Sequence, residues 1–427
     1  MEADAFASYV ALDMELQQPL LVLGVLSDMQ YADMDDPPAA TAPPPPPPAS
    51  LAPAAAGARH FRHSLELLKR AVQYWKAEGG VSFVAMLGNA LAAENAPSER
   101  QWSALESFDD ARGRVGAPFH LTPGEHDLRC FGTAQLHRLT ARHAPLHYSF
   151  VACAGWRVVL LDSYDISLLA HPPGSAAYMD VLALLQEHNA NPPDAADPLH
   201  GLEGDERRWS PTGGGVGRMQ LDWLSAQLAA AAAAGERVVL LSRLGWLPAA
   251  CDPERLLFNF EDVQQRVDAY PGVTALVLFG GDGRGAYARD LRGVHHLSPC
   301  AACACDVNED AFGVVRILEY SIRVEMRGRA PDPERRPNGW PSELSFPTPN
   351  GTLVPALPGG GADGFGFILQ IWLFLLHTIM LPMQPVFRLL TSSSSQRDEG
   401  VAPSRNVATP VDEKSADAAA EAGEEAA

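Results

Sequence analysis

The stretch PLLVLGVLSDMQ at residues 19–30 constrains this chain more than any other. An unbroken run of Leu and Val that turns abruptly polar suits a strand buried on both faces, because a half-exposed strand alternates apolar and polar side chains. Strands of that kind belong to open α/β sheets, which bind ligands beyond the carboxyl ends of their strands. Asp28 and Gln30 stand at that end. They aim oxygen atoms at one point only if the chain turns there; the duller alternative is that Asp28 caps the next turn.

The rest of the chain repeats the pattern. Residues 1–18 are short and acidic, and are expected to be loose. Residues 33–57 are a Pro/Ala-rich insertion containing six consecutive prolines at 43–48, which cannot donate hydrogen bonds to a packed element and favour extended polyproline II. Leu65, Leu68, Val72 and Trp75 then recur at three- and four-residue steps, predicting an amphipathic helix over 59–78. An apolar strand over 81–87 ends in Gly88-Asn89, a helix follows over 99–111, and a strand over 118–121 delivers the turn TPGEHD at 122–127. A hairpin is expected over 146–154 and 156–162, a helix over 176–188, and a Pro/Gly-rich surface loop over 191–217. Helix 219–234, closed by Gly235, precedes strand 237–242, helix 253–270 and strand 273–279. Residues 312–319 and 322–327 read as an antiparallel pair. Strand–helix alternation with hairpins inside it predicts two sheets flanked by helices, an αββα sandwich.

Composition removes several classes of function. A formal net charge of −20 argues against a nucleic-acid backbone as partner. Six cysteines in 427 residues do not make a disulfide scaffold. Cys300, Cys303 and Cys305 form a CxxCxC cluster, but no second cluster completes a tetrahedral zinc set. The first sixteen residues lack the basic start of a secretory signal, so a cytoplasmic, reducing environment is expected.

Five predicted strand ends therefore carry polar residues: Asp28 and Gln30, Asn89, Glu125 and His126, Arg243, and residues 281–284. Their order resembles the signature blocks of calcineurin-type metallophosphoesterases, D-x-H or D-x-Q, G-D, G-N-H-E/D, a later H, and G-H-x-H. More narrowly, the chain resembles the manganese-dependent ADP-ribose/CDP-alcohol diphosphatases, which favour Gln in the first block, here SDMQYAD. RHFRHSLELLKRA (59–71), LLDSYDISLL (160–169), LQEHNAN (185–191), GRMQLDWL (217–224) and the run from AFGVVRI to RGRAPD (311–332) carry the same resemblance. It spans roughly residues 19–332. It implies paired sheets with two Mn²⁺ or similar ions at the strand ends, clamping a phosphoryl group and supplying a hydroxide nucleophile. By that resemblance Asp28, Gln30, Asn89 and Glu125 occupy metal-ligand positions, and His126 that of the group that steadies the phosphate or protonates the leaving group.

The same comparison shows what has changed. Asn89 stands in place of the bridging Asp, Glu125 in place of Asn, and Arg243 in place of the fourth-block His. The fifth block reads Gly280-Gly281-Asp282-Gly283, without its imidazoles. A unit charge about 4 Å from another costs roughly 4 kcal/mol at an effective dielectric of 20, and a dication about doubles that. Arg243 is permanently charged, so it opposes a metal; it is expected to pair with Asp28, Glu125 or Asp282, or to bind phosphate through its planar fork. At most one ion is expected. The functional expectation is a degraded two-metal site in a pseudoenzyme that takes nucleotide diphosphates. The alternatives are an active Mn-dependent hydrolase and a membrane-tethered scaffold.

Beyond 332 the resemblance ends. Residues 333–364 read as a Pro/Gly-rich linker, and 365–387 as an uncharged apolar segment, FGFILQIWLFLLHTIMLPMQPVF, long enough before its prolines for a marginal membrane anchor. Residues 388–427 are a polar, acidic tail expected to be disordered.

Overall fold

A computed structural model describes residues 18–36, 59–281, 283–333 and 339–347. In its first half the elements are β1 (Leu21–Leu26), α1 (Phe61–Ala77), β2 (Phe83–Met86), α2 (Gln101–Gly113), β3 (Phe119–Leu121), α3 (Glu125–Gln135), α4 (His137–Thr140), β4 (Tyr148–Cys153) and β5 (Trp156–Leu160). Then come α5 (Ala176–His188), α6 (Arg218–Ala234), β6 (Arg237–Ser242), α7 (Phe260–Asp268), β7 (Thr274–Phe279), β8 (Arg284–Arg289), β9 (His295–Cys300), β10 (Ala311–Ile317), β11 (Ser321–Gly328) and β12 (Glu343–Ser345).

The strands form two six-stranded sheets, ordered β12-β11-β10-β1-β2-β3 and β4-β5-β6-β7-β9-β8. β1, β2 and β3 run parallel, as do β5, β6, β7 and β9. Each set therefore brings its carboxyl ends to one side of its sheet. Leu23, Val25 and Phe83 of the first sheet share one apolar cluster with Val158, Leu160, Val239 and Leu278 of the second, so the sheets pack face to face. Leu68 and Trp75 of α1, Phe108 of α2, Leu224 of α6 and Val263 of α7 cover the outer faces. This is the αββα arrangement. Burial on both faces explains why β1, β6 and β7 read as continuous apolar runs.

Four departures from the sequence reading have physical causes. The GEHD segment is the start of α3, not a turn: the Gly124 amide donates to Asp127 Oδ2 at 3.0 Å, an N-terminal cap inside the polar block. The expected helix over 253–270 divides, because Pro253 opens a short 3₁₀ turn and α7 starts only at Phe260. β8 and β9, RGAYAR and HHLSPC, carry too few apolar side chains in series to announce strands, yet pair in register from Arg284↔Cys300 to Arg289↔His295. β12 lies within the segment read as linker and adds to β11, with Leu344 buried. The proposed anchor at 365–387, the acidic tail and the proline tract lie outside the described residues. Among the described residues, no helix is long and apolar enough to cross a membrane.

Candidate functional site

Beyond β1 the chain turns, as convergence of Asp28 and Gln30 demands. Asp28 (φ 51°), Gln30 (φ 45°) and Asn89 (φ 50°) all take left-handed backbone, a conformation that carbonyl-bearing short side chains tolerate better than others. The two loops are laced together: the Asp28 amide donates to the Gly88 carbonyl at 2.9 Å and the Gln30 amide to the Asn89 carbonyl at 2.7 Å. From the other side, the amides of Ala302 and Cys303 donate to the carbonyls of Ser27 and Asp28. The CxxCxC segment therefore braces the Asp28 loop. Burial pushes the Cys303 thiol up and the Cys305 thiol up to about 12, so both remain protonated packing groups.

The centre of the site is Arg243, 1% exposed, at the end of β6. Its Nη1 and Nη2 donate to the two oxygens of Asp28, each at 2.8 Å, in a bidentate fork. Nη1 also donates to the Leu87 carbonyl at 3.1 Å, and Nη2 to Glu125 Oε2 at 3.1 Å. Glu125 opens α3, where the helix dipole favours a carboxylate. Its oxygens also accept from Arg255 Nη1 at 3.2 Å and from the Tyr164 hydroxyl at 3.1 Å. Asn89 Nδ2 donates to Asp28 Oδ1 at 3.0 Å, and its Oδ1 accepts from the His126 amide at 3.0 Å. The Gly281 amide donates to Asp28 Oδ2 at 3.2 Å. Two carboxylates meet two guanidinium groups, and the cluster is neutral.

Titration follows from that pairing. Burial, the largest single influence, pushes the Asp28 and Glu125 carboxyls up, but the Arg243 charge together with its hydrogen bond to Asp28, and the Arg243 and Arg255 charges beside Glu125, hold both below their ordinary range, Glu125 well below. Burial pulls Arg243 down while Asp28 and Glu125 lift it well above its ordinary value. Asp127 beside them has no guanidinium within reach of its oxygens, and burial raises it to about 6.

The cage around Arg243 is sized for it. A Cβ added at Gly88 would stand 2.6 Å from Arg243 Cδ, and one at Gly280 would stand 2.7 Å from Arg243 Nη1. Backbone carbonyls exclude a side chain at both positions as well, that of Thr122 at 2.6 Å from a Cβ at Gly88 and that of Leu87 closer still to one at Gly280.

The structure thus brings Asp28, Asn89, Glu125 and Arg243 into one contact network. Gln30 lies beside it, its Oε1 buried and without a partner. The His126 ring turns to another neighbour: Nδ1 accepts from the Ala93 amide at 3.2 Å and stands 3.7 Å from Glu94 Oε2. Of the two expectations for Arg243, the geometry displays the pairing with Asp28 and Glu125: Asp28 fills the guanidinium fork, which is out of solvent. Arg255 and Tyr164 were not anticipated; Arg255 lies thirteen residues past the end of β6 at Ser242, and no local pattern marks either residue. The donors present do not fit a divalent ion. Every oxygen of Asp28 and Glu125 faces a guanidinium, and among the described residues no group of three or more His, Cys, Asp or Glu side chains could hold a metal.

No family model matches the chain. A solved structure described as a dimetal phosphatase from Danio rerio superposes with a TM-score of 0.66 at 25% identity, covering 77% of this chain and 100% of that one. The fold is that of a metallophosphoesterase. Among curated proteins, the manganese-dependent ADP-ribose/CDP-alcohol diphosphatase of Arabidopsis thaliana is 30% identical over 309 residues, 72% of this chain and 94% of that protein. Its counterpart in Oryza sativa subsp. japonica is 30% identical over 304 residues, covering 70% and 89%, and that of Homo sapiens 28% over 332 residues, covering 73% and 92%. The chain belongs to the manganese-dependent ADP-ribose/CDP-alcohol diphosphatase family.

Proposed function

We propose that this chain is a member of the diphosphatase family that has given up two-metal hydrolysis, its carboxylates being neutralised from within by Arg243 and Arg255. The single observation that carries the reading is the bidentate contact of Arg243 with Asp28 at 2.8 Å, in a site where that arginine is 1% exposed. A metal at Asp28 has to displace a buried cation that cannot be deprotonated, and a dication beside it is opposed by several kcal/mol, roughly 8 at an effective dielectric of 20. Gly281 adds support: at φ 85° its backbone suits glycine, and a ligating histidine there is strained. The relatives' names make a nucleotide diphosphate the ligand class to test. At the mouth, Arg255 is the guanidinium left with partial exposure, 30%, and the direction from which such a ligand would be met.

The second reading, a working manganese-dependent hydrolase, is favoured by one observation: Asp28, Asn89 and Glu125 still converge. Hydrolysis of ADP-ribose and of a CDP-alcohol with manganese separates the two. The native chain is expected to match an Asp28→Ala control. Turnover by the native chain that disappears in Asp28→Ala returns the protein to the hydrolases.

A further inference from the structure

Arg243 is more than an obstacle to metal. Its guanidinium sits where oxygen donors converge from three separate loops: Asp28 after β1, the Leu87 carbonyl after β2, and Glu125 at the start of α3. The walls are close, with Gly88 and Gly280 packed against Arg243 and against the Thr122 and Leu87 carbonyls. Asp28 and Asn89 hold left-handed backbone that needs an external restraint, and Asp28 is tied to both Arg243 and Asn89. A buried carboxylate left without a cation is strongly unfavourable.

We infer that the carboxylate loops form a cation-binding site whose resident cation is the chain's own guanidinium, and that this site takes a free planar guanidinium ion when Arg243 is shortened. The fork geometry selects the class of ligand. Paired N–H donors meet both oxygens of Asp28, with an edge left for the Leu87 carbonyl and Glu125, a directional set of contacts that a planar fork matches. The inference rests on the reading of Arg243 as a built-in cation, yet its readout is stability rather than turnover, so failure here leaves the hydrolysis assay to judge that reading separately.

The experiment compares thermal unfolding of the full chain with Arg243→Ala, with and without guanidinium chloride at a concentration too low to denature, and with manganese chloride in parallel. Arg243→Ala is expected to melt about 5 to 8 °C lower than the native chain. Guanidinium should recover several degrees of that loss, leave the native chain unchanged, and leave Arg316→Ala unchanged, since Arg316 pairs with Glu78 and Glu325 near the surface. No recovery by guanidinium, or recovery by manganese alone, overturns the inference. Where Arg243→Ala yields no folded protein, Asp28→Asn, Arg243→Met and their combination decide it. The combined variant is expected to melt above Arg243→Met, because the Asp28 charge no longer lacks its partner; simple additivity of the two losses overturns the inference.

Discussion

The two sheets contribute opposite things to the site. The first sheet ends in acceptors: Asp28, the Leu87 carbonyl, Asn89 and Glu125, on loops laced to one another through left-handed backbone. The second sheet ends in a cation and in closely packed glycines: Arg243 after β6, and Gly280 and Gly281 after β7. Each half is unsatisfactory alone, a set of buried oxygens without a cation and a buried cation without oxygens. Packed together they neutralise each other. The lesson is that oxygen donors presented by one sheet and a cation presented by the other can be buried together because each neutralises the other.

The comparison breaks most severely when one half is emptied. Asp28→Ala leaves Arg243 buried with its fork open, and is expected to cost about 3 to 5 kcal/mol in denaturant unfolding. A loss under about 1 kcal/mol would mean that the two halves do not depend on each other. Crowding the second half is next. Gly280→Ala drives a Cβ against Arg243 Nη1 and the Leu87 carbonyl, and about 1 to 3 kcal/mol of destabilisation should follow, with the heat of unfolding and tryptic susceptibility as measures. The rim contributes less. Arg255 is 30% exposed, so Arg255→Gln should cost only about 1 kcal/mol, less at high salt.

How much of this was legible in the sequence follows the same division. β1, α1 and β6 announce themselves, because continuous burial writes apolar runs and an amphipathic helix writes a period. The pairing of Arg243 with Asp28 or Glu125 is legible from charge alone, once strand ends are taken to converge. Arg255 and Tyr164 are not, since each reaches Glu125 from a loop whose path is set by tertiary packing. β8 and β9 were missed for a related reason: their identity lies in backbone pairing, with His295 and His296 buried where Val or Ile would have signalled a strand. His126 shows a different contrast. Its motif suggests a group aimed at substrate, whereas its ring is engaged with Ala93 and Glu94.

The smallest expected effect is on pH dependence. Burial raises Asp127 and Asp162 to about 6, so the folded state binds their protons first and stability from them grows as pH falls below 6. Burial lowers His120 and His295 to about 4 from an ordinary 6.5, so the unfolded chain binds their protons first and stability from them is lost as pH falls from 6.5. These oppose each other, and the melting temperature should be nearly level from about pH 6 to 4.5. Below that it should drop as Asp28 and Glu125, whose carboxyls lie under their ordinary range, take up protons and release Arg243. Asp127→Asn removes one gain and leaves both histidine losses, so its melting temperature should decline through the level region by a few degrees. A profile unchanged by that substitution contradicts the assignment.

The central claim is that a guanidinium occupies the place of a metal, and bound manganese tests it most directly. The full chain, purified with manganese supplied and then desalted, is analysed for metal content beside Asp28→Ala. The account predicts no manganese in the native protein above the level of that control. Stoichiometric manganese in the native chain, absent from Asp28→Ala, would contradict it.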